Sequence, residues 1–239
     1  MKYDYKAYEN VMRALNGFNF NDFGAGDACV DDLISHFDDS VVKIKDWAWG
    51  ATKLVIIPQK GDFVIKIPFE GQEVELWPID EETGEENYDA EPEWSIDRFM
   101  YAQNDTHWDY CLTEVERYSL AREFGFEKYF LETFCIGYIN GHPIYVQEKA
   151  DEIGSSSNSH KTKTSREEVR ELMSESGTYV DIPWDWLAVV MDYMDNAEVE
   201  LVDFLRFLYD NDIDNDLHGG NIGFKYGRPV IVDYAGFYD

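Results

Sequence analysis

The sequence predicts an α+β protein in which a strand-rich N-terminal half precedes a helix-rich C-terminal half. Three observations predict it. Runs of β-branched and aromatic residues fall between 41 and 67 and again between 133 and 148. Apolar residues return at helical spacing over 184–194 and 198–209. Between the halves, 151–178 is rich in Ser, Thr, Lys and Glu, the composition of a flexible joint.

The elements follow in order. Residues 5–17 and 27–38 read as an N-terminal helical extension, with Val11, Leu15 and Phe18 on one stripe and Val30, Leu33, Ile34 and Phe37 on another. Asp27 is the expected N-cap of the second helix. Gly24-Ala25-Gly26 follows no strand, so it reads as a loop and not as a phosphate cradle. Strands are expected at Val41 to Ile44, Leu54 to Ile57 and Phe63 to Ile67, with a hairpin turn over Pro58 to Asp62. Residues 70–97 hold twelve Asp and Glu and no Lys or Arg, and read as an inserted acidic loop with a short hairpin around Val74 to Trp77. A helix is expected at about Asp109 to Phe124, with Leu112, Val115, Tyr118 and Ala121 facing the core. Strands Thr133 to Ile139 and Pro143 to Glu148 flank the turn pair Asn140-Gly141. Arg166 to Met173 has helical character within the joint. Two apolar-rich helices then lead to a hairpin, Ile222 to Lys225 and Val230 to Val232.

The chain has 239 residues and a formal charge of −29. Such a charge repels phosphate backbones and anionic lipid, which excludes direct nucleic-acid and membrane binding from the expected functions. It leaves a basic protein as the kind of macromolecular partner an acidic surface would attract. Three cysteines, Cys29, Cys111 and Cys135, make no metal-site spacing. With no apolar leader or spanning segment expected, the reading is a cytoplasmic protein.

The chemistry concentrates near the C-terminus. Asp216 and Asn221 stand five apart, and Asp233 follows twelve residues later, shortly before Gly236. Phosphoryl transfer needs a carboxylate to orient the attacking hydroxyl and hard oxygen ligands to hold Mg²⁺ against nucleotide phosphates. Asp216 suits the first task, and Asn221 and Asp233 the second. All these residue types also favour ordinary turns, so the combined spacing carries the reading and no single residue does.

Asn215-Asp216-Leu217-His218-Gly219-Gly220-Asn221-Ile222 resembles the catalytic loop of the protein-kinase-like superfamily, nearest its aminoglycoside and small-molecule phosphotransferase branch. Asp233-Tyr234-Ala235-Gly236 resembles the family's Asp-Phe-Gly region with one residue inserted. The resemblance covers about residues 41–239. It implies a bilobal fold, with an antiparallel-sheet N-lobe over 41–150 and a minimal helical C-lobe over 179–239, that binds ATP and Mg²⁺. By the same resemblance, Lys66 in Val64-Ile65-Lys66 would grip the phosphates, held by Glu114 or Glu116, with Glu114 preferred. Gly50 would belong to the glycine-rich loop and Val55 would cover the adenine. Glu148 and Ala150 would bind the base from the hinge between lobes. Asp214-Asn215 replaces the family's residues before the catalytic Asp. The resemblance ends soon after Gly236, so it carries no activation segment or peptide-binding helices. The acceptor is thus open, a small hydroxylated molecule or a protein. The alternatives are a non-catalytic pseudokinase and an acidic inhibitor that mimics nucleic acid.

Overall fold

The computed structural model describes residues 3–20, 27–50, 52–80, 83–100, 109–155, 162–176 and 182–235, without the side chains at 27–29, 49, 70–76, 93–100, 175–176 and 198. Gly24 to Gly26, Gly236 and the serine-rich centre of the joint lie outside the described residues, as does the Asp27 side chain. The chain is a mixed α+β protein that divides into two compact units. One comprises Lys2–Tyr110 and Cys135–Val146, the other Cys111–Phe134 and Gln147–Asp239. The division falls at 110, 134 and 146.

The first unit opens with helix α1 (Tyr5–Ala14), whose N-cap Asp4 accepts from the Ala7 N–H at 3.0 Å. Val11, Leu15 and Phe18 are buried as their spacing requires, but the helix stops at Ala14. Gly17, at φ +91°, holds the turn that ends it. Helix α2 (Asp27–Ser35) buries Val30 and Leu33, with Phe37 just beyond its end. The strand expected from Val41 begins only at Ile44, and Val41 is exposed. Ser40 accounts for the shift. Its hydroxyl donates to the Phe37 carbonyl and accepts from the Val42 N–H, which favours a turn over a ladder.

Strands β1 (Ile44–Trp49), β2 (Lys53–Pro58), β3 (Phe63–Leu76), β4 (Glu93–Met100), β5 (Thr133–Ile139) and β6 (His142–Glu148) form one sheet. Its order is β1-β2-β3-β6-β5, with β4 also on β3. Asn140 and Gly141 both have positive φ, 49° and 82°, the requirement of the two-residue turn that joins β5 to β6. Strand β3 runs past the expected Ile67 to Leu76 and pairs antiparallel with β4 over Phe69 to Leu76. The two ends of the acidic segment are therefore strands that pair with each other, and the expected loop is confined to the residues between Leu76 and Glu93. The pairing sets Glu70 opposite Phe99, Glu73 opposite Ile96 and Glu75 opposite Trp94. In this register no acidic position is the direct partner of another acidic position.

The second unit is mainly helical: α3 (Tyr110–Glu123, from its second residue), α4 (Arg166–Ser176), α5 (Trp184–Asp192) and α6 (Ala197–Asp210). Strands β7 (Glu152–Ile153), β8 (Ile222–Lys225) and β9 (Arg228–Ile231) form a small antiparallel sheet. Its core joins Val169 of α4, Trp186 of α5, Phe204 and Leu208 of α6 and the strand residues Ile222 and Ile231. Phe204 lies 4.9 Å from the Tyr129 ring and 5.3 Å from the Phe126 ring, centroid to centroid. Burial of each such side chain is worth roughly 2–3 kcal/mol.

Helix α3 departs from its expected face. Cys111, Glu114, Arg117 and Ala121 are buried, whereas Leu112 is exposed and Val115 and Tyr118 are half-buried. The sequence assigned the core face by apolarity. The structure assigns it by hydrogen bonding, since Glu114 and Arg117 both find buried polar partners.

Gly223 marks the tightest backbone approach in the small sheet. A Cβ there would sit 2.2 Å from the Glu152 carbonyl oxygen across the β7–β8 pair. Gly223→Ala should therefore destabilise the fold by about 3 kcal/mol, read by urea denaturation, because backbone must shift to admit the methyl.

Candidate functional site

Helix α6 ends where Asp212 takes φ 52°, and the Ile213 N–H returns to the Leu208 carbonyl at 2.9 Å. That reversal delivers a single 3-10 turn, Asp214–Asp216, and then the loop to β8. The loop is held by short-range bonds. The His218 N–H donates to the Asp216 carbonyl at 3.0 Å, and the Asn221 N–H to the His218 carbonyl at 2.9 Å. The Asn221 Nδ2 donates to the Asp216 carbonyl at 2.7 Å and to Asp216 Oδ2 at 2.9 Å. Both amide hydrogens are thus engaged by Asp216, which fixes the orientation of the amide and leaves Oδ1 as its outward atom. A hard cation takes oxygen, so Oδ1 is the atom through which Asn221 could bind one.

His218 lies beside the other Asp216 oxygen, Nε2 to Oδ1 at 3.7 Å. Its Nδ1 accepts the Gly220 N–H at 2.9 Å. The neutral ring therefore carries its hydrogen on Nε2, the nitrogen nearer the carboxylate.

Asp233 is brought to the same loop through its backbone. The N–H groups of Val232 and Asp233 both donate to the Asn221 carbonyl, at 2.8 and 3.3 Å. The flanking carbonyls are held as well. Val232 O accepts Gln147 Nε2 at 2.8 Å, and Tyr234 O accepts Arg117 Nη1 at 2.7 Å. The Asp233 side chain remains partly exposed between these anchors.

Behind the segment lies a buried polar network. Glu114 Oε2 accepts the Thr133 hydroxyl at 2.7 Å, and Thr133 Oγ1 accepts Gln147 Nε2 at 2.9 Å. The Tyr234 hydroxyl donates to the Leu131 carbonyl at 2.7 Å. Burial, and next the charge of Glu114, hold that phenol well above its ordinary pKa. Glu114 is fully buried and Glu116 is exposed.

The segment expected to hold the base is tied to β8. Lys225, itself buried, donates to the Lys149 carbonyl at 2.7 Å and lies 3.6 Å from Asp151 Oδ1. The Asp151 N–H donates to the Phe224 carbonyl at 2.8 Å. Glu148 and Ala150 are therefore anchored through their neighbours to the hairpin that leads from Asn221 to Asp233.

The remaining expected residues belong to the first unit. Gly50 sits at the β1–β2 turn, where its N–H donates to the Lys53 carbonyl at 2.8 Å. Val55 of β2 is the register partner of Lys66 in β3. Directly opposed residues share a sheet face, so Val55 and Lys66 project together. Lys66 is 2% exposed, unlike the usual solvent-facing strand lysine. The structure thus gathers the expected residues into two sets, Gly50, Val55 and Lys66 in one unit, and Glu114, Glu148, Ala150, Asp216, Asn221 and Asp233 in the other.

Arg117, Thr133 and Gln147 were missed by sequence reasoning. A signal existed for Arg117, which stands three residues after Glu114 on the same helical face. Thr133 and Gln147 carried none, because a strand Thr or Gln is ordinary until its partners are known. Among the described residues, no group of three or more His, Cys, Asp or Glu side chains is placed to hold a metal ion. The residues at the loop that could hold a hard cation are Asn221, through its amide oxygen, and Asp233, through its carboxylate. No helix among the described residues is long and apolar enough to cross a membrane. Comparisons with protein-family models, curated proteins and solved structures gave no match.

Two outcomes are expected. Asn221→Ala removes both bonds to Asp216 and should lower stability by about 1–2 kcal/mol in metal-free urea denaturation. The second concerns Asp214, whose pKa is raised chiefly by burial, with Asp212 adding to the rise and Arg117 opposing it. The folded chain then holds this proton to higher pH than the unfolded chain does, so its contribution to stability falls as pH rises above about 4. Asp214→Asn removes that titration. The stability of wild type relative to Asp214→Asn should decline from about pH 4 upward and level off above the raised pKa.

Proposed function

We propose that this chain is an ATP- and Mg²⁺-dependent phosphotransferase with the bilobal fold of the protein-kinase-like superfamily, acting on a hydroxyl of a small molecule or protein. One arrangement carries the reading: Asp216, Asn221 and Asp233 are tied to one another through the Asn221 amide and carbonyl. Sequence spacing alone could have left these residues in unrelated turns. Their assembly on one hairpin supports a common task.

Asp216 orients and accepts the proton of the attacking hydroxyl. Asn221 restrains one of its oxygens, and His218 stands beside the other. Asn221 Oδ1 and the Asp233 carboxylate would hold Mg²⁺, which when bound offsets the phosphate charge during transfer. The anchored segment around Glu148 and Ala150 would receive the base through backbone groups. Lys66 would supply the cation for the phosphates, Val55 would cover the adenine and Gly50 would belong to the glycine-rich loop, as the resemblance implies.

Thermal-shift measurement with ATP, in MgCl₂ and in EDTA, tests the binding part. ATP at 100 times its Kd should stabilise by roughly 2.7 kcal/mol with Mg²⁺ present. Asp233→Asn should abolish the Mg²⁺-dependent portion and keep the fold. Asp216→Ala should bind MgATP nearly as wild type does but lose phosphoryl transfer, measured as ADP release with candidate hydroxyl acceptors. No stabilisation by ATP under either condition would sink the reading. Binding without transfer in the wild type would point to a nucleotide-binding scaffold.

A further inference from the structure

The buried network behind Asp233 does more than fill space. Three consecutive residues, Val232 to Tyr234, are held at four backbone atoms. Asn221 takes the two N–H groups, Gln147 takes the first carbonyl and Arg117 the last. Arg117 is 6% exposed and Gln147 fully buried. Gln147 Nε2 points at three acceptors, the Leu131 and Val232 carbonyls and Thr133 Oγ1, so its amide cannot reverse without setting oxygen against oxygen.

The contact to Tyr234 O is made at 2.7 Å by a guanidinium that is itself almost wholly buried. A charged donor to a buried carbonyl is among the stronger hydrogen bonds available, and a planar guanidinium also fixes direction.

We propose that Arg117 is a positioning residue for the Asp233 carboxylate, and that through it the placement of helix α3 governs cation binding at the site. The inference rests on the reading of Asp233 as a metal ligand. A carboxylate on a loosely held backbone would sample many directions, and octahedral Mg²⁺ tolerates few of them. With Tyr234 O and Val232 O both gripped, the Cα–Cβ direction of residue 233 is set before the cation arrives.

Two measurements on the full chain test this separately from the metal-site reading. The first is amide hydrogen exchange at Val232 and Asp233 without nucleotide. In Arg117→Met both amides should exchange at least tenfold faster, while the Leu131 amide, bonded to the Ile231 carbonyl, keeps its rate. The second is ATP affinity by calorimetry in MgCl₂ and in EDTA. Arg117→Met should lose about tenfold of the affinity gained from Mg²⁺ and none of the metal-free affinity. Arg117→Lys, which keeps the charge without the planar fork, should recover part of both effects.

Wild-type exchange at both amides in folded Arg117→Met overturns the proposal. So does a Mg²⁺-dependent gain equal to that of the wild type. If the wild type gains nothing from Mg²⁺, the phosphotransferase reading fails, and the exchange rates alone decide whether Arg117 holds the segment. If Arg117→Met does not fold, Arg117→Lys carries the test. It should raise both exchange rates threefold or more, and unchanged rates overturn the proposal.

Discussion

The second unit is organised around a constraint that few helices accept: α3 turns a glutamate and an arginine inward. Burying either charge without partners would cost several kcal/mol. The surrounding chain must therefore bring acceptors and donors to fixed places. Thr133 must present its hydroxyl to Glu114, and the Tyr234 carbonyl must meet Arg117. Those demands fix the start of β5 and the segment after β9. The parallel bridge between Phe130 and Ile231, and the Leu131 N–H bond to Ile231, follow the same path. The aromatic cluster around Phe204 then packs against a frame that polar contacts have already aligned.

Charge sets a different constraint in the first unit. A chain with 49 acidic and 20 basic residues must disperse its carboxylates or lose compactness. In the β3–β4 register the acidic positions of β3 are paired with Phe99, Ile96 and Trp94. At the same time β3 keeps Lys66 buried near its start, where its partner is Val55. One strand therefore serves a buried cation at one end and a strongly acidic ribbon at the other.

Much of this was legible in the sequence, and the rest was not, for identifiable reasons. The Asn140-Gly141 hairpin could be read directly, because the required backbone angles restrict the residue choice. The two apolar helices near the C-terminus were read nearly to their ends, because their cores are wholly hydrophobic. The face of α3 was misread, because apolarity is a poor guide where polar residues are buried in mutual hydrogen bonds. Of the paired acidic strands only a short hairpin around Val74 to Trp77 was read, because charge density masked the alternation over the rest. The proximity of Asp216, Asn221 and Asp233 was legible from spacing, but the Asn221 amide that joins them was not. A side-chain amide gives no sequence sign of which way it points. Nor could Gln147 be found, since its partners lie 14 to 85 residues away.

The order in which the chain is threaded through its two units bears on how it is made. The first unit has every residue it needs once Val146 has been synthesised. The second begins at Cys111 yet is closed by contacts of Phe130 and Leu131 to Ile231, about a hundred residues later. On a ribosome adding roughly 5–20 residues per second, α3 then waits several seconds with Glu114 and Arg117 lacking their final surroundings. Polar side chains on the inward face lessen the hazard of that wait. An exposed apolar stripe would invite aggregation, whereas water can solvate a carboxylate and a guanidinium until the last hairpin arrives.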